Sequence, residues 1–266
     1  MKLFRDEHMM GTAMTPPLSS LPSPWNELAT GNTTQTQLER LSLNLRHTHE
    51  ECWLDYHYNS GDDDNANDER SAPPEQSLRF LLSDSAASIR ILPQLADRAV
   101  VARPMMPTEL LPKQRTTLFI STVLWARISI DELTLAEFAT VRLSDTWFGA
   151  NTRRGELCYA SQTRALLNLD NIQYSPFRAI TPITIDNQGE DNVRLDRINV
   201  PVPHLTLYCD GQRFWTSALR VLRETNLANA NLHIDNKPPN QSVQIAPPRR
   251  PIRGGVFERA VDLLFA

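Results

Sequence analysis

The sequence predicts an all-β fold: a sandwich or barrel-like set of antiparallel sheets, closed by one short C-terminal helix. Three observations carry that prediction. Apolar residues alternate with polar ones in short runs; turn-forming clusters interrupt them roughly every ten residues; and almost no stretch holds a helical period. About ten short strands of this kind describe a sandwich or barrel rather than a helical or α/β protein. No segment repeats with a period of about 20–50 residues, so a propeller or solenoid is not expected.

Residues 1–36 contain TPPLSSLPSP and ATGNTTQTQ. They are polar and proline-broken, and they read as a disordered tail. Pro17, Pro22 and Pro24 fit a linker better than a polyproline ligand. Residues 37–254 form the expected β-rich domain, as one body or as two β subdomains. In RLSLNLRH the leucines Leu41, Leu43 and Leu45 alternate with Ser42, Asn44 and Arg46, and CWLDYHYN follows after THEE to make a hairpin. The segment from 60 to 75, with Asp62, Asp63, Asp64, Asp68 and Glu69, suggests a calcium loop. The EF-hand pattern fails there: Asp63, Asn65 and Asn67 fit, but Asp68 occupies the turn-glycine position and no glutamate closes the loop. A flexible acidic loop is the better reading.

Strand signals continue in LRFLL, DRAVVARP, TTLFISTVLWARISI (116–130), ATVRLSDTWFG, ELCYAS, RAITPITI and VRLDRINVP. DELTLAEF fits either one helical turn or a strand. HLTLYCDGQRFWTS places Asp210-Gly211 between two alternating runs, the chemistry of a two-residue hairpin turn whose central residues need positive φ. ALRVLRETN has a helical composition, but its hairpin context favours strand. Residues 255–266, GGVFERAVDLLFA with its leading glycine, place Phe257, Ala260, Val261 and Leu264 on one helical face.

Composition limits the function. The chain has 266 residues, a net charge of −4 and a pI near 5.9, so no global positive field attracts nucleic acid or anionic lipid. Of 27 basic residues only Lys2, Lys113 and Lys237 are lysine; a bias so uniform reads as genome composition. Cys52, Cys158 and Cys209 are widely spaced and odd in number, which fits a reducing compartment. MKLFRDEHMM is too charged for a secretory signal, and no run approaches the roughly 18 apolar residues of a membrane span. A soluble, cytoplasmic protein without direct membrane insertion is expected.

GxSxG, GK[ST], GxGxxG and HExxH are all missing from the sequence. HTHEECWLDYH gathers His47, His49, Glu50, Cys52 and His57, but its spacing matches no standard zinc module, and no metal or cofactor is expected. Cys158 and Cys209 read as small core residues. Of Trp25, Trp53, Trp125, Trp147 and Trp215, four fall in strands, where packing competes with a role as a stacking platform. The ligand-binding candidates come from WFGANTRRGELCYASQTRA, residues 147–165. Gly149 and Gly155 bracket a hairpin loop of about five residues whose tip carries Arg153 and Arg154 beside Trp147, with Arg164 near if the chain folds back. Arginine forks suit carboxylate or phosphate.

The segments PQLADRAVVARPMMP, LFISTVLWARI, TWFGANTRRGELCYAS, AITPITI, INVPVPHLTLY and FWTS occur in an order that resembles a bacterial and archaeal family of uncharacterised proteins, domain of unknown function 432. The resemblance covers residues 38–265. It is most specific at Trp147, Phe148, Gly149, Gly155 and Cys158, the family's aromatic-Gly-x-x-x-x-x-Gly-x-x-Cys pattern as it stands in this chain. It implies a β-rich domain with no assigned activity. The frequent neighbourhood of family genes to small mechanosensitive channels implies a regulatory role with such a channel as protein partner. Two functions stay open: a non-catalytic binding or regulatory module for a protein or small anionic ligand, and a hydrolase or isomerase with a carboxylate-based site.

Overall fold

A computed structural model of the chain describes residues 20–25, 33–48, 50–59, 76–82, 89–104, 106–130, 133–149, 155–223, 229–235, 237–239, 241–252 and 256–260. The first four strands are a simple meander: β1 (Thr33–Leu38), β2 (Leu41–His47), β3 (Glu51–Tyr58) and β4 (Gln76–Leu81), antiparallel in that order. Leu41, Leu43 and Leu45 are buried while Ser42 and Asn44 are not, as the alternation predicts. The outer face carries a polar ladder. Arg46 and Arg79 both stack on Trp53, at 5.5 and 5.2 Å from its ring centroid.

The chain continues through β5 (Ile89–Gln94), β6 (Val100–Pro104), β7 (Thr108–Leu110), β8 (Gln114–Val123), β9 (Trp125–Ile130) and β10 (Leu133–Ala139). Next come β11 (Ser144–Gly149), β12 (Gly155–Leu166), β13 (Arg178–Asn187), β14 (Val193–Leu195) and β15 (Ile198–Val200). The last strands are β16 (Leu207–Cys209), β17 (Phe214–Thr216), β18 (Ala218–Arg223), β19 (Asn229–Asp235), β20 (Val243–Ala246) and β21 (Val256–Ala260). β10-β9-β5 form a three-stranded sheet, β14-β7 a small ribbon, and the large sheet runs β15-β6-β12-β8-β13-β17-β16-β20, with β11, β18, β19 and β21 attached.

The fold is all-β, mostly antiparallel. Three pairings are parallel: β12 with β6, and β13 with both β17 and β18. One contiguous apolar core draws on all three larger sheets, from Leu21 to Ala246. Pro182 sits inside β13, where a residue without an N–H normally weakens a ladder. It falls opposite the break between β17 and β18: Ile180 pairs Trp215, then Ile183 pairs Leu219. The backbone of Ser217, in that gap, bonds to Thr206 instead.

The structure corrects four expectations. The C-terminal helix over 255–266 does not form in the described part. Val256–Ala260 is strand β21, antiparallel to β19, with Phe257 opposite Leu232. A helix of about a dozen residues is marginal alone, whereas the edge of β19 presents backbone groups that need partners. Residues 261–266 lie outside the described residues, as does the acidic loop expected at 60–75. The run 116–130 is not one strand: it breaks at Leu124 into β8 and β9, which belong to different sheets. The segment expected as a tail contributes β1 and Trp25, whose ring is 1% exposed and packs edge-on against Phe177 and Phe214.

The fourth correction concerns Asp210-Gly211. The loop joining β16 to β17 has four residues, since Cys209 pairs Phe214, and Gly211 alone has positive φ, at 91°. The Asp210 carboxylate organises the turn. Oδ1 accepts from the N–H of Gln212 at 2.9 Å and of Arg213 at 2.7 Å, and Oδ2 accepts from Trp215 Nε1 at 2.8 Å. Partial burial opposes this charge, but the bonds from Arg213, Trp215 and Gln212 outweigh it and hold the carboxyl below its ordinary value.

Two predictions follow from this packing. Trp25→Ala removes a buried ring and the bond from its Nε1 to the Pro176 carbonyl; it lowers unfolding free energy by about 3–5 kcal/mol, read from urea denaturation. A small effect would place Trp25 outside the folded core. Asp210→Ala lowers stability by about 1–2 kcal/mol at neutral pH. Because the folded pKa lies below the ordinary 3.8, that contribution is complete above 3.8 and is lost as pH falls through the depressed folded value. Acid titration of the melting temperature should show the two proteins converging there.

Candidate functional site

The sequence-derived candidates do not form one cluster. Gly149 pairs Gly155, so the hairpin exists with the expected register and a loop of residues 150–154. Arg153 and Arg154 lie in that loop, outside the described residues. Trp147 is 41% exposed. A Cβ built at Gly155 would collide with its indole and lie 2.7 Å from the Phe148 carbonyl, so the glycine is required for this close approach. Arg197 braces the strand from behind: Nη2 donates to the Trp147 carbonyl at 3.0 Å, and its guanidinium lies 5.0 Å from the Phe148 ring centroid. Arg164 stays on β12, opposite Arg103 of β6. Nine residues of strand, with an irregularity after Ala160, put it about 20–25 Å from the hairpin mouth, so the chain does not fold back to bring it to the tip.

The metal-like cluster also separates. His47 and Cys52 are cross-strand partners on one face, whereas His57 is an odd number of residues from Cys52 and points to the other. His49 lies outside the described residues. Among the described residues no group of three His, Cys, Asp or Glu stands close enough to hold a metal ion. All three cysteines are buried and outside any disulfide, and burial raises the Cys52 and Cys209 thiols, the reverse of what a nucleophile needs.

A different site emerges where β3 and β4 meet β9, β10 and β12. A cavity of about 380 Å³ is lined by the rings of Tyr56, Tyr58, Trp125, Phe138 and Tyr159, with Gln76, Glu137 and Arg142 as its side-chain polar groups. That size falls in the range of small-ligand sites, which combine apolar walls with a few polar groups. Three of the chain's five tyrosines converge here.

Each ring is held by a neighbour. Tyr56 and Phe138 pack with centroids 4.2 Å apart, and Trp125 and Tyr159 with centroids 5.8 Å apart. Tyr56 donates its hydroxyl proton to Gln76 Oε1. Tyr58 donates to the Ala139 carbonyl at 2.9 Å, and Tyr159 to Asp97 at 2.8 Å. Burial pushes the Tyr58 and Tyr159 hydroxyls up to about 12, with the Asp97 bond adding to the effect at Tyr159. Both therefore remain protonated donors through the neutral range.

Cations surround the same rings. Arg142 lies 4.7 Å from the Tyr58 ring centroid, Arg98 5.2 Å from that of Tyr159, and Arg249 5.9 Å from that of Trp125. Arg249, with a side chain 17% exposed, donates from Nε to the Leu95 carbonyl at 2.7 Å and from Nη1 to Glu137 at 2.6 Å. Among the described residues its Nη2, which is buried, has no partner, and neither has the buried Trp125 Nε1. Arg142 is exposed and has no carboxylate partner among the described residues.

Sequence reasoning singled out Trp125 only as one tryptophan among five. It missed the tyrosines and Arg249, because the cleft is assembled from strands far apart in the chain. The one available signal was the aromatic spacing Tyr56-x-Tyr58, two rings on one face of a strand.

No helix among the described residues is long and apolar enough to cross a membrane. No curated protein and no solved structure gives a significant match to the chain. The family described as "Protein of unknown function (DUF432)" matches residues 24–265, which take in Trp25, the hairpin and every residue of the cleft, and the chain belongs to that family.

Proposed function

We propose that this protein is a non-catalytic binding module that takes a small ligand in the aromatic cleft. The observation that carries the reading is the cavity itself, about 380 Å³ with five aromatic rings on its walls. Rings fixed by hydrogen bonds and by each other form a preorganised surface, which lowers the cost of ordering on binding. The alternative, a hydrolase or isomerase, needs acids that converge on a reacting atom. Among the described residues the cleft has one lining carboxylate, Glu137, and it is neutralised by Arg249.

A protein partner at the hairpin is the second reading, and one observation favours it. Trp147 and Leu157 are directly opposite each other on β11 and β12, 41% and 46% exposed. They share a face with Tyr159, two residues along β12 from Leu157, so an apolar stripe leads from the cleft toward the arginine loop. In this reading Arg153 and Arg154 clamp an acidic group on the partner, a channel's cytoplasmic segment being one such candidate.

Dialysis of the purified protein against a small-molecule cell extract, read by mass spectrometry, should retain at least one compound. Phe138→Ala combined with Arg142→Ala should weaken its binding about tenfold or more while circular dichroism stays that of a β-protein. If nothing is retained, the cleft is not a binding site. For the hairpin, Arg153→Ala with Arg154→Ala should abolish capture of an acidic partner in a salt-sensitive pull-down and leave the melting temperature unchanged. Capture that survives the double substitution would leave these arginines as surface.

A further inference from the structure

We infer that the cleft ligand is a small compound with a planar ring and an oxyanion (carboxylate, sulfonate or phosphate monoester), the ring stacking on the tyrosines and Trp125 and the oxyanion met by Arg142 and Trp125 Nε1. The inference rests on the cleft reading above and deepens it. It comes from counting hydrogen-bond capacity around the cavity. On the acceptor side, Gln76 Oε1 takes the Tyr56 hydroxyl, the Ala139 carbonyl takes that of Tyr58, and Glu137 takes Arg249. The third tyrosine, Tyr159, directs its proton away to Asp97. No tyrosine proton is left over for a ligand, and each of these three acceptor groups already takes one bond.

On the donor side the balance is the opposite. Trp125 Nε1 and Arg249 Nη2 are buried without partners, and Arg142 has no carboxylate among the described residues. Buried N–H groups are normally paired; of the two, Trp125 lines the cavity, where an acceptor on a ligand would supply the missing partner, and Arg249 braces the indole from outside the lining. Unpaired N–H donors beside a guanidinium that has no carboxylate match an anion. A sugar brings no charge to meet Arg142. The wall chemistry selects the rest of the ligand. Tyr56 with Phe138, and Trp125 with Tyr159, present ring faces and edges, and a flat aromatic compound covers them with least loss of conformational freedom. The guanidinium over Tyr58 adds a cation to the same wall, within reach of a substituent on a ring stacked there.

The test uses matched probes on the full chain, measured by titration calorimetry. AMP and indole-3-acetate carry ring and oxyanion, adenosine and indole the ring alone, phosphate and acetate the anion alone, and maltose neither. At least one ring-plus-oxyanion probe should bind about tenfold or more tighter than its two matched halves, more weakly as salt rises. Trp125→Phe keeps a ring and removes the unpaired N–H. It should leave the melting temperature unchanged or raised and weaken that probe about fivefold or more, as should Arg142→Ala. A merely structural role for Trp125 would move stability and not affinity. Equal or tighter binding of indole, adenosine or maltose would overturn the inference while leaving the cleft as a binding site. No binding by either ring-plus-oxyanion probe overturns it too; the cleft reading falls with it only if the extract dialysis also retains nothing. Affinity untouched by both substitutions would show that the anion is met elsewhere, and would overturn the assignment of these two donors.

Discussion

Everything in the cleft depends on how the chain leaves one sheet and enters another at Leu124. β8 runs for ten residues in the middle of the large sheet, paired to β13 along its whole length. At Leu124 the backbone turns both of its polar groups out of that ladder: its N–H donates to the Phe177 carbonyl at 2.8 Å, and its carbonyl accepts from Thr140 at 3.1 Å. Both groups stay satisfied, which a fully buried Leu124 requires. The next residue, Trp125, pairs Ala139 on one side and Gln94 on the other, as the first residue of β9. A single strand thus joins two sheets and delivers Trp125 to the space between them. Corners made by strands that switch sheets are a recognised way for packed sheets to meet.

Arg249 fixes the other side of that corner. It arrives from a proline-rich crossing after β20, over a hundred residues away, and ties β5, β10 and Trp125 together through Leu95, Glu137 and the indole face. Taking a guanidinium this far out of water costs several kcal/mol unless its donors are matched. Two of its three nitrogens are matched and Nη2 is not. The pair with Glu137 neutralises the one lining carboxylate among the described residues, so the net sign of the lining is set by Arg142. The protein as a whole is acidic, at −4. The lining of this aromatic cavity, among the described residues, carries a net positive charge.

Local alternation was legible in the sequence and global arrangement was not. β2, β3, β13 and the β11–β12 hairpin follow from period-two patterning and from glycine at Gly149 and Gly155, because those signals are set by the pleat and by turn sterics. The C-terminal segment misled: Phe257, Ala260, Val261 and Leu264 satisfy a helical period, and the competing force, the open edge of β19, is invisible from 23 or more residues away. The break at Leu124 left no mark, since Val-Leu-Trp is equally good strand on either side of a corner. Trp25 was lost for the opposite reason. Its surroundings are polar and proline-rich, and composition averaged over a window hides one large ring that pairs with Phe177 and Phe214. The cleft combines all of these difficulties, since its lining comes from β3, β4, β9, β10, β12 and the loop at Arg142.

β12 places the two candidate binding surfaces on one rigid element. Tyr159 sits in the cleft against Trp125, and Leu157 and Trp147 continue the same face toward the arginine loop. Four residues separate Tyr159 from Gly155, about 13 Å of strand. Proximity alone does not couple them: a ligand shifts a partner's affinity only if it binds two states of the protein differently. The feature able to supply two states is the Arg98–Asp145 pair at 3.1 Å, in which Arg98 also stacks on Tyr159 and Asp145 is the cross-strand partner of Tyr159 on β11. A ligand that also drew Arg98 from Asp145 would remove this one side-chain tie, while the six-residue ladder to β12 and Arg197 still hold β11 and Trp147. The exposed pair is worth at most about 1 kcal/mol, so any coupling carried this way is correspondingly small, about fivefold in partner affinity. A module built on this strand would tune a partner's binding and would not switch it on and off.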